Sequence, residues 1–264
     1  MRILPIIILI LLLFSNKTVA QSDSLKVIDT ISVTTPEIQK KWFDSRYVHE
    51  SIVPLSLVLA SVAIISIPGL KESLQKPLIW NYNSTTTGIY GNLYEDQIRY
   101  VPVIAAYAIS FCGVKSEHRF IDKSVILAVA YIASDFVVYN GKMITKSLRP
   151  SGRTYTSIQD IYSLPSQHTA MAFVAATFLD HELGTISPWI SVGGYAAATW
   201  VGIARVANNY HFTSDVLMGA AVGILMTNAT YWAYDGVMKL FPKRLTICPV
   251  IDPQQTGIYF CYKI

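Results

Sequence analysis

"SVGGYAAATWVGIARVANNYHFTSDVLMGAAVGILM", residues 191–226, joins two apolar runs rich in glycine and alanine through a short polar stretch. That stretch, "RVANNYHFTSD", holds Arg205, His211 and Asp215 where the flanking runs avoid charge. Each run is long enough for an apolar helix, so the chain goes up, turns over a charged cap and returns. Small residues let helix backbones approach closely, which predicts that these two helices pack on each other.

Working outward, four more apolar segments stand at about 52–69, 98–113, 124–140 and 167–182, beside those at 186–204 and 216–234. Their lengths fit helices that cross a bilayer or fill a large helical core. The whole chain has 264 residues, of which 52% are hydrophobic and 14% charged. Its mean hydropathy of +0.39 makes membrane residence the leading expectation. The net charge of +4 is spread along the chain rather than gathered in a block, so no nucleic-acid track is expected. The predicted fold is all-α, a bundle of about six mostly apolar helices embedded in the membrane over residues 51–240. Aromatic residues at segment ends (Trp42, Trp80, Tyr100, Trp189, Trp232, Tyr234) look like interfacial anchors.

The two termini have a different character. Residues 1–20 have a basic start, the apolar run "ILPIIILILLLF" and a small-residue end, the layout of a secretory signal cleaved near Ala20. A polar leader, 21–50, follows. In the tail, 241–264, "PVIDPQQTGIYF" between Cys248 and Cys261 reads as two short strands about a turn. A disulfide between these cysteines stays open, because sequence does not fix the register. Cys112, in an apolar run, reads as a buried small hydrophobe.

In an antiparallel series, Lys142 and Arg149 follow the third helix, His168 opens the fourth, and Arg205, His211 and Asp215 join the fifth to the sixth. All six therefore meet at one end of the bundle. "PSQH" places Ser166 as a helix N-cap, so the next amides point outward from a positive helix end that suits an oxyanion. Lys142, Arg149 and Arg205 add three fixed cations. Asp215, one turn after His211, is placed to hold one imidazole nitrogen and leave the other as a nucleophile. So many polar groups at one apolar bundle end carry a heavy desolvation cost unless an anion binds there.

"KMITKSLRP", "PSQH" and "RVANNYHFTSD", in this order, resemble the motifs of the type 2 phosphatidic acid phosphatase superfamily, which also holds bacterial class A acid phosphatases and vanadium haloperoxidases. The resemblance covers about residues 95–235. It implies that His211 attacks phosphorus to form a phosphohistidine, oriented by Asp215, and that His168 protonates the leaving oxygen and then activates water. It also implies that Lys142, Arg149 and Arg205 hold the phosphoryl oxygens with the Ser166 hydroxyl and nearby amides, among them that of Gln167. Neither metal nor cofactor is expected. Two departures stand out: Gln167 replaces the family's usual Gly, narrowing the pocket or adding a donor, and Ala204 replaces its usual Ser.

Other polar residues read as structural. Asp135 is expected to bond between helices, His118 and His181 to lie at the far end without a partner pattern, and "EDQIRYVP" near Glu95 to begin a solvated helix in preference to lining the substrate entrance. Positive residues in "KSEHRFIDK" and "KLFPKR" (Lys115, Arg119, Lys123, Lys239, Lys243, Arg244) place the face opposite the site in the cytoplasm. A cleaved signal followed by six crossings conflicts with that orientation unless 52–69 fails to cross or the amino-terminal segment is not cleaved. The preferred expectation is an inner-membrane phosphatase with a periplasmic site acting on lipid phosphates or diphosphates. Its partners would be the lipid substrate and membrane lipids, with no nucleic acid and no obligate protein. A soluble periplasmic acid phosphatase, a vanadate haloperoxidase and a non-enzymatic lipid-phosphate binder are the alternatives.

Overall fold

The computed structural model describes residues 45–79, 94–151 and 161–240, with the backbone of 245–252 and 255–262. The signal segment and the leader up to residue 44, with Trp42 and Trp80, lie outside the described residues. Eight helices run through the described residues: α1 (Arg46–Ser66), α2 (Leu70–Gln75), α3 (Glu95–Ile98), α4 (Val101–Phe111), α5 (Phe120–Thr145), α6 (Gln167–Leu183), α7 (Pro188–Ala207) and α8 (Thr213–Leu240). The six apolar segments correspond to α1 and α4–α8. The protein is all-α apart from an antiparallel backbone hairpin, β1 (Leu245–Asp252) with β2 (Gln255–Tyr262). Its register sets Cys248 opposite Tyr259 and Cys261 opposite Thr246, so the two cysteines do not face each other directly. Their sulfurs lie outside the described residues.

α6 forms the centre, with α4, α5, α7 and α8 packed around it and α1 laid on α8. A helix surrounded on all sides must be apolar all round, and Ala170, Ala172, Ala175, Ala176 and Phe178 are buried on successive faces of α6. The small-residue helices α7 and α8 do not pair mainly with each other as predicted. Each packs chiefly on α6. Glycine marks close approach but does not say which helix approaches. Gly219 and Gly223 of α8 lie against the carbonyls of Ser166 and Ala170, where an added Cβ would collide with backbone. Gly223→Val is expected to cost about 1–3 kcal/mol by overpacking, read as a lower Tm in detergent. Gly236→Val, where nothing lies within 4 Å, is the control.

Large apolar side chains face outward along the bundle, among them Leu59 (70% exposed), Ile132 (70%), Phe136 (68%) and Trp189 (79%). Water-facing surfaces rarely carry so continuous an apolar cover, and lipid accounts for it. α1 and residues Thr213–Lys239 of α8 are long and apolar enough to cross a membrane. Outward-facing apolar residues also correct Cys112, which is exposed at the end of α4 rather than buried.

The end of α6 away from His168 is a polar knot. His118 Nδ1 lies 2.9 Å from Glu182 Oε1, and the Tyr231 hydroxyl donates to the same oxygen at 2.8 Å. His181 stacks on Tyr231 with ring centroids 4.0 Å apart and lies 2.8 Å from Asn228 Oδ1. Both histidines therefore have partners, contrary to expectation. Lys123 is not a free topogenic charge either: it is buried and donates to Ser110 and Ser116 at 2.8 and 3.2 Å. Trp232 is tied to Glu50 across the α1–α8 seam rather than serving as a plain anchor.

Candidate active site

The turn between α7 and α8 curls on itself, because the amides of Tyr210 and His211 both donate to the Arg205 carbonyl, at 3.1 and 3.3 Å. Asn209 takes a left-handed φ of 57° within it, a conformation asparagine tolerates. This geometry buries His211, which is 1% exposed. Arg149 Nη1 stands 3.3 Å from His211 Nε2. A guanidinium has no acceptor, so it donates and Nε2 carries the lone pair. The Nδ1 proton then points toward Asp215, whose Oδ2 lies 3.7 Å away, an ion-pair distance longer than a hydrogen bond. Burial first, then Arg149 and Arg205, hold the imidazole pKa down at about 4 against the upward pull of Asp215.

Asp215 sits in the first turn of α8, where its Oδ2 accepts from the Phe212 amide at 2.9 Å. That bond closes half of a capping box and fixes the carboxylate. The Asp215 carbonyl accepts from the Ser166 amide at 3.0 Å, so the starts of α6 and α8 are joined through main chain. Ser166 occupies the N-cap position of α6, but its hydroxyl makes no cap bond; it accepts from Thr169 at 3.0 Å. The Gln167 side chain also departs from expectation, because its amide donates to Asp135 of α5 at 2.5 Å. Asp135 is thus the interhelical bonder that the sequence suggested, and the Gln167 side chain is spent on it.

Lys142 is buried in the last turn of α5. There the Pro165 ring rests on Gly141, and the Thr145 hydroxyl donates to the Leu164 carbonyl at 2.9 Å. The lysine is thereby anchored beside the "PSQH" segment. His168, on the first turn of α6, lies within electrostatic reach of Arg205, Arg149 and His211. Ala204 is buried on α7, beside Arg205.

Arg205 has a different partner from the one expected. Its Nη1 donates to Glu95 Oε1 at 2.8 Å, and Asn208 donates to Glu95 Oε2 at 3.0 Å. Glu95 is not a solvated helix start: it is 6% exposed, and burial pushes its carboxyl above the ordinary range against the pull of Arg205. The next residue, Asp96, puts Oδ1 2.9 Å from His168 Nε2. α2 contributes as well. Gln75 donates to the carbonyls of Val206 and His211 at 3.3 and 3.2 Å, and Lys71 lies 3.8 Å over the Phe212 ring. Glu95, Asp96, Lys71 and Gln75 lie more than a hundred residues from most of their partners and follow no motif, so no local signal marks them.

Chemically, the site offers an unprotonated nitrogen facing a cation, a fixed carboxylate behind it, a second histidine and a second arginine. Such a set suits an anionic group attacked by imidazole.

Residues 123–239 match the model of the PAP2 superfamily. The chain is similar to a lipid A 1-phosphatase of Porphyromonas gingivalis, at 36% identity over 156 residues, covering 59% of this chain and 34% of that protein. It thus spans about a third of the length of that curated relative. Its fold is similar to a transmembrane PAP2-type phosphatidylglycerolphosphate phosphatase from Bacillus subtilis, with a TM-score of 0.50 and 20% identity over 72% of this chain and 98% of that one. An LpxE from Aquifex aeolicus aligns with a TM-score of 0.46 and 20% identity, over 62% and 96% of the two chains. Lys142, Arg149, His168, Arg205, His211 and Asp215 all fall inside the matched span, so the stretch of this chain that carries the site, 123–239, is the stretch similar to the PAP2 superfamily.

Proposed function

We propose that this protein is a membrane phosphatase that hydrolyses lipid phosphate monoesters or diphosphates through a phosphohistidine, without a metal. The observation that carries this reading is the His211 ring, with its Nε2 lone pair 3.3 Å from the Arg149 guanidinium and its Nδ1 side toward Asp215. A phosphoryl group entering between Arg149 and His211 meets a cation on its oxygens and a nucleophile at phosphorus.

In the first step the Nε2 lone pair forms an N–P bond while the ester P–O bond breaks, and the leaving oxygen takes a proton from His168. In the second, His168 removes a proton from water, the new P–O bond forms, the N–P bond breaks and inorganic phosphate departs. Lys142, Arg149 and Arg205 balance the phosphoryl charge, with main-chain amides at the start of α6. These groups supply the role a metal plays elsewhere.

A lipid substrate is supported by the outward apolar faces and by a groove of about 1180 Å³ between α1 and α7. Val53, Leu57, Trp200, Ile203 and Leu217 line it, next to Ala204. Acyl chains suit such a lining, whereas a soluble acid phosphatase has no need of it. Among lipid phosphates, the relative's activity makes the 1-phosphate of lipid A the first to try. The site is assigned to the periplasmic side, opposite the basic loop that carries Lys115 and Arg119.

The test is phosphate release from lipid monophosphates, lipid diphosphates and water-soluble esters, with and without chelator. Turnover of the lipid phosphates that chelator leaves intact is expected. Strict dependence on added divalent ions, or release from small esters alone, would overturn the assignment.

A further inference from the structure

The two carboxylates of α3 contact two of the groups that the proposed reaction requires. Glu95 Oε1 is 2.8 Å from Arg205 Nη1, and Asp96 Oδ1 is 2.9 Å from His168 Nε2. Arg205 is nearly enclosed, its Nε is buried without a partner among the described residues, and its other contact is the Tyr210 ring 4.4 Å away. α3 packs on α7, the helix that carries Arg205. One carboxylate thus covers a cation meant for phosphoryl oxygens, and the other covers the proposed acid.

We propose that Glu95 and Asp96 are charge-selectivity residues: their carboxylates hold Arg205 and His168 until a phosphate bearing two negative charges displaces them, while singly charged phosphodiester head groups do not. This rests on the phosphatase reading of the same site. A carboxylate and a phosphodiester each carry one negative charge, so exchanging one for the other gains little Coulomb energy. The carboxylates also hold the advantage of being tethered to the protein, at high effective concentration. A terminal phosphate carries about −1.5 to −2 at neutral pH and offers three acceptor oxygens, so its charge-assisted bonds outcompete a carboxylate. Phosphodiester lipids are the bulk of a bilayer, and a bare cationic pocket opening on it would fill with them. The acidic pair keeps that pocket available for terminal phosphates.

The experiment compares the full chain with Glu95→Gln, Asp96→Asn and the double variant, in detergent micelles. Inhibition of phosphate release by short-chain phosphatidylglycerol, a phosphodiester, is measured beside KM for a short-chain phosphatidic acid, a monoester. The expected result is a Ki for the diester tightened by about tenfold or more in the double variant, with a smaller fall in KM. Glu95→Gln keeps a hydrogen-bond acceptor for Arg205, and Asp96, with a side chain 60% exposed, tolerates change without threatening the fold. An unchanged Ki, an equal gain for both ligands, or a fall in kcat with Ki unmoved would overturn the proposal.

Binding of the same diester is also measured by calorimetry on His211→Ala with and without the two substitutions. A gain in diester affinity there supports the charge filter even if wild-type turnover disproves the phosphatase reading. Absence of that gain beside normal wild-type turnover removes the filter alone.

Discussion

Replacing His211 with alanine is expected to lower kcat by at least about four orders of magnitude, because loss of the proposed nucleophile removes the proposed covalent path altogether. The imidazole is buried, its Nε2 faces Arg149 and its other side faces Asp215, and in the proposed mechanism the bond to phosphorus rests on this ring. The fold should survive, since α7 and α8 are held by their packing on α6. Two measurements check this. Turnover of a lipid monophosphate should vanish while elution in detergent stays unchanged. An acid-labile, alkali-stable phosphoprotein should be trapped from the wild type and be missing from the variant. Near-normal turnover by His211→Ala would end the mechanism.

Asp215→Asn is expected to slow kcat by about two to four orders of magnitude, as when the orienting carboxylate of a Ser-His-Asp triad is made neutral. In the proposed intermediate the phosphorylated ring is cationic, and Asp215 is the anion beside its Nδ1 side. Asparagine still offers an oxygen to the Phe212 amide, so the start of α8 is kept and the loss reports charge.

Asp215 also raises the His211 pKa against burial, so the variant should hold it further below its wild-type value of about 4. The sign for stability follows. The native ring stays neutral down to about 4, whereas the unfolded one takes up its proton near 6.5. Above that range neither state binds the proton; as pH falls through it the unfolded state does, and stability drops by up to about 3 kcal/mol. Thermal melts between pH 7 and 4.5 should show this fall in the wild type and less of it in His211→Ala. Equal slopes in the two would contradict the depressed value.

The bundle was legible because apolar segments of helical length are a local signal, and α1 and α4–α8 follow it. Who packs on whom was not. The glycines of "VLMGAAVGILM" announce a close neighbour, but whether it is α6 or α7 depends on the whole assembly. Cys112 was misread for a related reason: when lipid is the solvent, an apolar setting no longer implies burial.

At the site, residues named through motifs were easy to place in sequence, while their partners were not. Glu95 meets Arg205 across 110 positions, and Gln167 meets Asp135 across 32. Such pairs depend on three-dimensional closure and leave no period in the chain. Gln167 shows the difference most directly: its identity suggested a pocket residue, and its bond makes it a strut between α5 and α6.

The amide of Ser166 and the carbonyl of Asp215 join the start of α6, which carries His168, to the start of α8, whose Asp215 faces His211. Apart from proline at position 166, which has no N–H, no side-chain replacement removes the groups that make that link, so the relative pose of the two histidines is buffered against sequence drift in the residues around them. Pocket walls are thereby free to diverge toward new head groups while the reactive pair keeps its alignment.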